Sequence, residues 1–337
     1  MIVKKTEGIF CMSTKKQVLQ MLEVNKNVPY SGQTIADQLG ISRTSVWKAI
    51  RALREEGYQI ESSTNSGYRL SSFSDVLNSE SISQDLEEPL SIMIYEQVDS
   101  TNAEAKRKLD EIKEGDFLIL ADEQTSGRGR LGRSFHSPTK TGLYMSLVLQ
   151  EIPQSVDPTL VTTAAAVAVC QAIEELTDVK PQIKWVNDIF VNGQKICGIL
   201  TEGILSLETQ TIQSIILGIG VNITLDKENI PVELIKKIGG LLEGQETQVS
   251  RNQLASAIIN RYYQIYEKIE TREFLTEYRK RCFVLGKEIT FTKNKEKYSG
   301  IAEAVDDQGG LVVRLNSNQK MVLSYGEISI RMKEGNG

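Results

Sequence analysis

Gly127-Arg128-Gly129-Arg130-Leu131-Gly132-Arg133 places three arginines and three glycines in seven residues, downstream of the apolar run Phe117-Leu118-Ile119-Leu120-Ala121 and of Gln124-Thr125-Ser126. Arginines this close repel one another unless an anion sits among them. Guanidinium forks bind carboxylate and phosphate oxygens bidentately. Glycines let the backbone take positive φ and approach a ligand, and successive N–H groups in such a loop form an anion-binding nest. The apolar run reads as a strand, and a strand that delivers a glycine-rich loop sets a ligand site on a rigid scaffold. The stretch therefore reads as a mobile clamp for a small anion carrying a carboxylate and a phosphate, in preference to a solvated basic loop. It is not a P-loop, because no Lys-Ser/Thr pair follows the last glycine. The glycine spacing does not fit a dinucleotide fingerprint, and Gly218-Ile219-Gly220 is a lone GxG.

Around the loop, strand and helix signals mix. Ile92–Val98 reads as a strand, followed by Asp99-Ser100-Thr101-Asn102 and a helical stretch Ala103–Glu111. Ser, Thr and Asn there are ordinary caps, and they also put hydroxyl and amide groups at the positive end of a helix, a place for a polar ligand head. A strand at Leu143–Leu149 and a helix at about Thr159–Leu176 come next. Ile189-Phe190-Val191 and Lys195–Thr201 flank Asn192-Gly193, a strong two-residue hairpin signal. In that register Phe190 faces Lys195. Lys195 heads an otherwise apolar strand and is either a strand-end charge or a cation for a reacting carboxylate and phosphate, together with Arg128, Arg130, Lys184 and Asp188. Hairpins mixed with helices predict an α+β domain on a mixed or largely antiparallel sheet. Helices at Gln253–Ile269 and Glu273–Cys282 lead to short strands from Lys287 onward, which predict a small SH3-like β-barrel.

The N-terminal part has a different pattern. Val18, Leu19 and Leu22 mark one helix by spacing. Ser31 caps a second with Ile35, Ala36 and Leu39 inward, Gly40 stops it, and Ser42 caps a third carrying Val46, Ile50 and Leu53. Tyr58-Gln59-Ile60 and Tyr68-Arg69-Leu70 flank a turn at Asn65-Ser66-Gly67, which completes a winged helix-turn-helix. Arg43, Thr44, Ser45, Lys48 and Arg51 lie mostly off the buried stripe of the third helix and are the candidate DNA contacts. Trp47 borders the stripe and reads as packing. A winged helix used only for protein contacts is the alternative. Residues 1–72 carry ten Lys/Arg against six Asp/Glu, a net +4, which leaves −9 for the rest of a chain whose net charge is −5. A basic module on an acidic body favours nucleic acid.

The expected division is a winged helix at 12–72, a Ser-rich acidic linker at 73–90 with a short helix near Ser81–Glu87, an α+β domain at 91–283 and the barrel at 284–332. Met12 is an alternative start. With 337 residues, 40% hydrophobic and 25% charged, the chain has an ordinary globular composition. Its apolar runs read as too short to span a membrane. Cys11, Cys170, Cys197 and Cys282 have no metal-ligand spacing and fit a reducing cytoplasm. His136 is the only histidine, which argues against His-based triads and His-rich metal sites; it stands at the rim of the site or against the ligand.

The order of these features resembles the bifunctional biotin protein ligase and biotin operon repressor family. The resemblance rests on a winged helix, Ser100-Thr101-Asn102, Gln124, Gly127–Arg133, Lys184-Trp185-x-Asn187-Asp188, Lys195-x-x-Gly198 and Gly218-x-Gly220-x-Asn222, and a terminal β-barrel, over about residues 14–332. It implies that biotin and ATP give biotinyl-5′-AMP and pyrophosphate, and that a lysine of the biotin carboxyl carrier protein of acetyl-CoA carboxylase then takes the biotinyl group. It implies biotin contacts at Ser100, Thr101, Asn102, Gln124, Arg128, Gly129, Arg130 and Lys195. It places Arg128, Arg130, Arg133, Phe135, Lys184, Asn187, Asp188 and Asn222 near ATP and the adenylate, with Mg²⁺ at Asp188 and with Lys195 and Arg130 as the catalytic pair. It further implies a homodimer favoured by biotinyl-5′-AMP as corepressor, bound to operator DNA. Val186 stands where the family usually has Pro, and Phe135 where it commonly has Trp. A lipoate-type ligase and a ligand-sensing regulator without turnover are the alternatives.

Overall fold

The computed structural model describes residues 13–330 apart from 64–66, 72–74, 151, 154–155, 206–210, 227–229, 236, 244–248, 294, 325 and 327. The alternative start at Met12 and the Asn65-Ser66 part of the wing turn lie outside the described residues. The chain forms two compact units that divide between Gln84 and Asp85.

In the first unit, α1 (Thr14–Val24), α2 (Gly32–Leu39) and α3 (Arg43–Glu55) start at the serines that the sequence nominates, or one residue type like them. Ser13 accepts from the Lys16 amide, Ser31 from Thr34 and Ser42 from Ser45. Each bond satisfies an amide that the helix itself leaves without a partner. Val18, Leu22, Ile35, Val46, Ile50 and Leu53 close one core, all within 1% of full burial. β1 (Ile60–Ser63) and β2 (Gly67–Leu70) pair antiparallel as the wing. Trp47 departs from expectation. It is 52% exposed, because one helical step of about 100° carries it off the Val46–Ile50 stripe. The expected linker is also more structured than its composition suggests. Its helix, α4, spans Ser79–Asp85, Lys16 pairs with Glu80 at 3.3 Å, and Asn78 donates to Glu23 at 3.3 Å.

The second unit is built on a seven-stranded mixed sheet. Its parts in chain order are β3 (Ser91–Val98), α5 (Thr101–Leu109), β4 (Phe117–Gln124), β5 (Gly142–Leu149), α6 (Pro158–Leu176), β6 (Gln182–Lys184), β7 (Asp188–Val191), β8 (Gln194–Leu205) and β9 (Ile212–Asn222). The strand order is β3-β4-β5-β9-β8-β7-β6. Only β3 and β4 run parallel, joined through α5; the other pairs are antiparallel. Asn192 and Gly193 take φ of 50° and 78°, the geometry of a two-residue primed turn, and Phe190 opposes Lys195 as the hairpin register requires. α7 (Val232–Ile235) and α8 (Arg251–Tyr266) follow. α6 is long and apolar enough to cross a membrane by length and composition, contrary to the reading of its runs as too short. In the fold it is 72% buried and packs on β8 and α8. Cys170, Cys197 and Cys282 are free and buried, the small apolar residues expected.

After α9 (Phe274–Arg281), β10 (Glu288–Lys293), β11 (Glu296–Val305), β12 (Leu311–Leu315), β13 (Lys320–Leu323) and β14 (Ile328–Ile330) form a five-stranded antiparallel sheet of SH3-like kind, in the order β13-β12-β11-β10-β14. The buried Trp185 indole donates to the Gly309 carbonyl at 2.9 Å and ties this sheet to the segment before β7. Trp185→Phe keeps an aromatic ring but is smaller, removes the N–H donor and strands that carbonyl. The variant is expected to lose about 1–3 kcal/mol of stability, read as a lower thermal midpoint of the full chain.

Candidate active site

The Arg-Gly loop starts where β4 ends. The Thr125 and Ser126 amides donate to Val98 and Asp99 at 2.9 and 2.8 Å, which pins the loop base to the end of β3. Its own backbone closes it: Phe135 N donates to Gly127 O at 2.8 Å and Gly129 N to Arg133 O at 2.7 Å. Positive φ is used less than the glycine count suggests. Gly132 has φ 75° and Leu131, 72% exposed, has φ 55°, whereas Gly129 is extended. Gly127 is needed for space, since a Cβ there would stand 2.4 Å from the Phe135 carbonyl oxygen.

Below the loop lies a buried polar cluster. Ser100, Thr101 and Asn102 at the start of α5 are 2–4% exposed. Ser100 holds the N-cap position yet makes no capping bond, so the ordinary cap explanation fails for its side chain. The Thr101 amide and hydroxyl both donate to Gln124 Oε1, at 2.8 and 3.1 Å, and Gln124 Nε2 donates to Ser137 at 2.8 Å. Two residues that the sequence reading missed complete the network. Ser146, fully buried in β5, lies 2.8 Å from Thr101 Oγ1 and 2.6 Å from Asn102 Oδ1. Glu202 in β8 accepts from Asn102 Nδ2 at 2.7 Å and pairs with Lys106 at 2.7 Å. Their only local signal is a polar residue within a strand. Ser100, Thr101, Asn102 and Gln124, with Arg128, Phe135, Gly198, Gly218 and Gly220, line a cavity of about 30 Å³. Any side chain at Gly218 would meet Asn102 Oδ1 at 2.2 Å, and at Gly220 the Phe135 ring at 2.6 Å.

A second cavity, of about 180 Å³, lies on the other side of Phe135, which lines both. It gathers Gly129, Arg130, Arg133, Lys184, Asn187, Asp188 and Lys195. Lys195 Nζ lies 2.6 Å from Asp188 Oδ1, and Arg130 Nη1 donates to Asn187 Oδ1 at 3.1 Å, while Asn187 Nδ2 donates to Ile199 O at 2.8 Å. Lys184 Nζ stands 5.9 Å from the Phe190 ring centre. Gly326, Ile328 and Ser329 of the C-terminal sheet complete the wall, a contribution with no sequence signal. Asn222, at the end of β9, lines neither cavity, and neither does His136, whose buried Nε2 has no hydrogen-bond partner. Among the described residues no group of three His, Cys, Asp or Glu side chains is placed to hold a metal. Among the described residues, Asp188 is the only carboxylate lining the second cavity.

Three family models match the chain: an HTH domain over residues 14–69, the biotin/lipoate A/B protein ligase family over 94–222, and the biotin protein ligase C-terminal domain over 284–331. The bifunctional ligase/repressor BirA of Bacillus subtilis is 34% identical over 92% of this chain and 97% of its own. The chain belongs to the biotin protein ligase family. The Escherichia coli BirA is 26% identical over 90% of this ligase and 94% of its own length. The biotin protein ligase of Aquifex aeolicus, solved in complex with biotin and ATP, is 26% identical and superposes with a TM-score of 0.60, covering 72% of this ligase and 99% of itself.

Within this ligase, Glu202 ties the polar cluster to its surroundings, and its ionisation can be followed. Burial pushes its carboxyl up, but bonds from Lys106 and Asn102 outweigh that and hold it below the ordinary 4.5. A depressed folded value contributes stability that is present above pH 4.5 and lost as pH falls through the lower folded value. Glu202→Gln is therefore expected to be less stable than the parent near pH 7, with the gap closing below about pH 4. Thermal unfolding across that range checks it, and a gap that stays constant with pH would count against the ion pair.

Proposed function

We propose that this chain joins biotin to ATP as biotinyl-5′-AMP, passes the biotinyl group to a lysine of a biotin carboxyl carrier protein, and uses the retained adenylate to control a DNA-binding repressor. The observation that carries the reading is the pair of cavities sharing Phe135, one rich in neutral polar groups and the other in cations. A carboxylate oxygen attacks the α-phosphorus, the bond from that phosphorus to the oxygen bridging the β-phosphate breaks, and pyrophosphate leaves with the electron pair. The neutral amine of the carrier lysine then attacks the acyl carbon, AMP departs, and the amine's proton passes to solvent. No bond to the protein is required.

In this reading Ser100, Thr101, Asn102 and Gln124 recognise the polar head of biotin, while Arg128, Gly129 and Arg130 cover it. Lys195 and Arg130 offset the charge that builds between carboxylate and phosphate, an effect largest when the donors are already in place. Arg133, Lys184 and Asn187 hold phosphate, and the Phe135 ring walls the nucleotide. Mg²⁺ commonly takes one or two protein carboxylates with substrate phosphates and water, and Asp188 fits that role, since it is the carboxylate lining the cationic cavity. When bound, the ion supplies Lewis-acid neutralisation of phosphate charge.

The finer assignments extend this reading. The carrier is that of acetyl-CoA carboxylase, and the chain acts in the cytoplasm. The DNA-binding form is a homodimer on an inverted repeat near biotin genes, since one winged helix offers a small interface and symmetric dimers read two half-sites. Binding an anion offsets the self-repulsion of the Arg loop and links adenylate to dimerisation, so the carrier competes for the loaded monomer. The matching family model spans biotin and lipoate ligases alike, so lipoate is the competing substrate.

The deciding assay incubates the protein with labelled biotin or labelled lipoate, ATP, Mg²⁺ and a carrier domain. Pyrophosphate release and transfer of biotin, undiminished by excess lipoate, are expected, and absence of biotinyl-AMP would defeat the reading. Arg130→Gly removes a charge-assisted contact worth on the order of 1.5–3 kcal/mol. It should release adenylate faster and spread label to bystander lysines, whereas Lys195→Ala should depress adenylate formation itself. Arg43→Ala and Lys48→Ala should weaken DNA binding and leave ligation intact. Sedimentation should show association rising when biotin and ATP are added together. A dimer fraction indifferent to them would refute the coupling.

A further inference from the structure

Trp47 stands apart from the other large aromatic side chains. Among the described residues it is the only Trp or Phe that is exposed, and more than half of its surface faces solvent. The buried stripe of α3 does not use it. It lies on the outward face instead, where the Arg51 guanidinium sits 5.8 Å from the ring centre, one helical turn on, and Arg51 in turn pairs with Glu55 at 2.9 Å. The ladder Trp47-Arg51-Glu55 keeps the indole upright along the helix. The ring lines a groove of about 920 Å³ between α3 and the wing, with Arg43, Thr44 and Arg51 on one side and Ser62 and Ser63 on the other. Among the described residues no Asp or Glu lines it. Of the polar candidates on α3, Ser45 is engaged by its cap partner Ser42, and Lys48 is exposed outside the groove.

A wide groove with arginines and no acid fits a polyanion, and the width of a duplex fits a helix presented beside a wing. The indole supplies what the arginines do not. Arginine reads hydrogen-bond acceptors such as those of guanine. The thymine C5-methyl is the apolar group exposed on a base edge in the major groove, and apolar side chains are its readers. We infer that Trp47 is the specificity-determining residue for one thymine in each half-site, through the methyl group of that base. The inference rests on the DNA-binding reading above and goes beyond it by naming the base and the atom recognised.

The test uses the full-length protein with biotin, ATP and Mg²⁺ to select duplexes from a random pool. Each thymine of the selected half-site is then replaced by uracil, which removes the methyl group and leaves every hydrogen-bonding atom in place. At one thymine per half-site, uracil is expected to weaken parental binding about fourfold, the effect of burying one methyl-sized group. Replacement in both half-sites should compound to about sixteenfold. Trp47→Ala should bind the thymine and uracil duplexes alike at that position and keep parental sensitivity at the others. Trp47→Gln, which keeps a long side chain without the apolar face, should do the same, and retained uracil sensitivity at the other thymines shows the winged helix of both variants folded. Arg43→Ala should lower affinity for every duplex and flatten the salt dependence while keeping the thymine–uracil difference. Retention of that difference by Trp47→Ala overturns the inference. So does undiminished operator affinity, the result expected if the indole serves a protein partner. If the parental protein selects no duplex, the DNA-binding reading falls and the assignment falls with it.

Discussion

Two anions have to meet in the proposed reaction, a carboxylate and a triphosphate, and the cations that line the larger cavity are the groups proposed to let them. Unit charges about 4 Å apart repel by roughly 4 kcal/mol at an effective dielectric near 20, and a carboxylate approaching a triphosphate faces several at once. Cations gathered to offset this repel one another in turn. The structure eases the conflict by giving two of them a partner. Lys195 has Asp188 of the adjoining strand β7, and Arg130 has the Asn187 amide oxygen. The site can therefore be assembled in advance of any ligand, and the hairpin turn at Asn192-Gly193, the strand register and the loop closure at Gly127 all serve that placement.

The same economy governs the neutral half of the site. Thr101 and Asn102 are buried, and a buried polar group without a partner is costly. Ser146 and Glu202 supply partners from strands β5 and β8. The network thus runs from the first turn of α5 to the sheet and back through Glu202 to Lys106 on the same helix, and the amide of Asn102 is held from both ends.

Legibility in the sequence followed the range of the interaction. Where a local rule sufficed, the residues announced the structure: the serine caps of α2 and α3, the apolar spacing of the first three helices, and the Asn192-Gly193 turn that sets Phe190 against Lys195. The Arg-Gly loop was legible as a loop at the end of β4, although its conformation was not, because close approach at Gly127 depends on a carbonyl eight residues later. Ser146 and Glu202 were invisible because a polar residue in a strand says nothing of what lies across the sheet. Ser329 reaches the site only through the folding of a separate sheet. Trp47 was misread for a geometric reason: adjacency to a buried stripe is not membership of it when each residue turns the helix by about 100°. The segment before β3 reads as a linker from its serine and acidic content, and that composition does not show that Glu80 has Lys16 to meet.

Phe135 lines both cavities, and a shared wall has a thermodynamic consequence. Its ring rests over Gly220 and Gly198, and the Lys195 ammonium also lies against Gly198. In the proposed reading, a shift of that ring toward one cavity enlarges the other, which would couple the two occupancies. By linkage, whatever factor the first guest imposes on the affinity of the second is returned unchanged when the order of arrival is reversed. Reciprocity itself holds for any protein; what a single shared side chain adds is one place where such a coupling would reside.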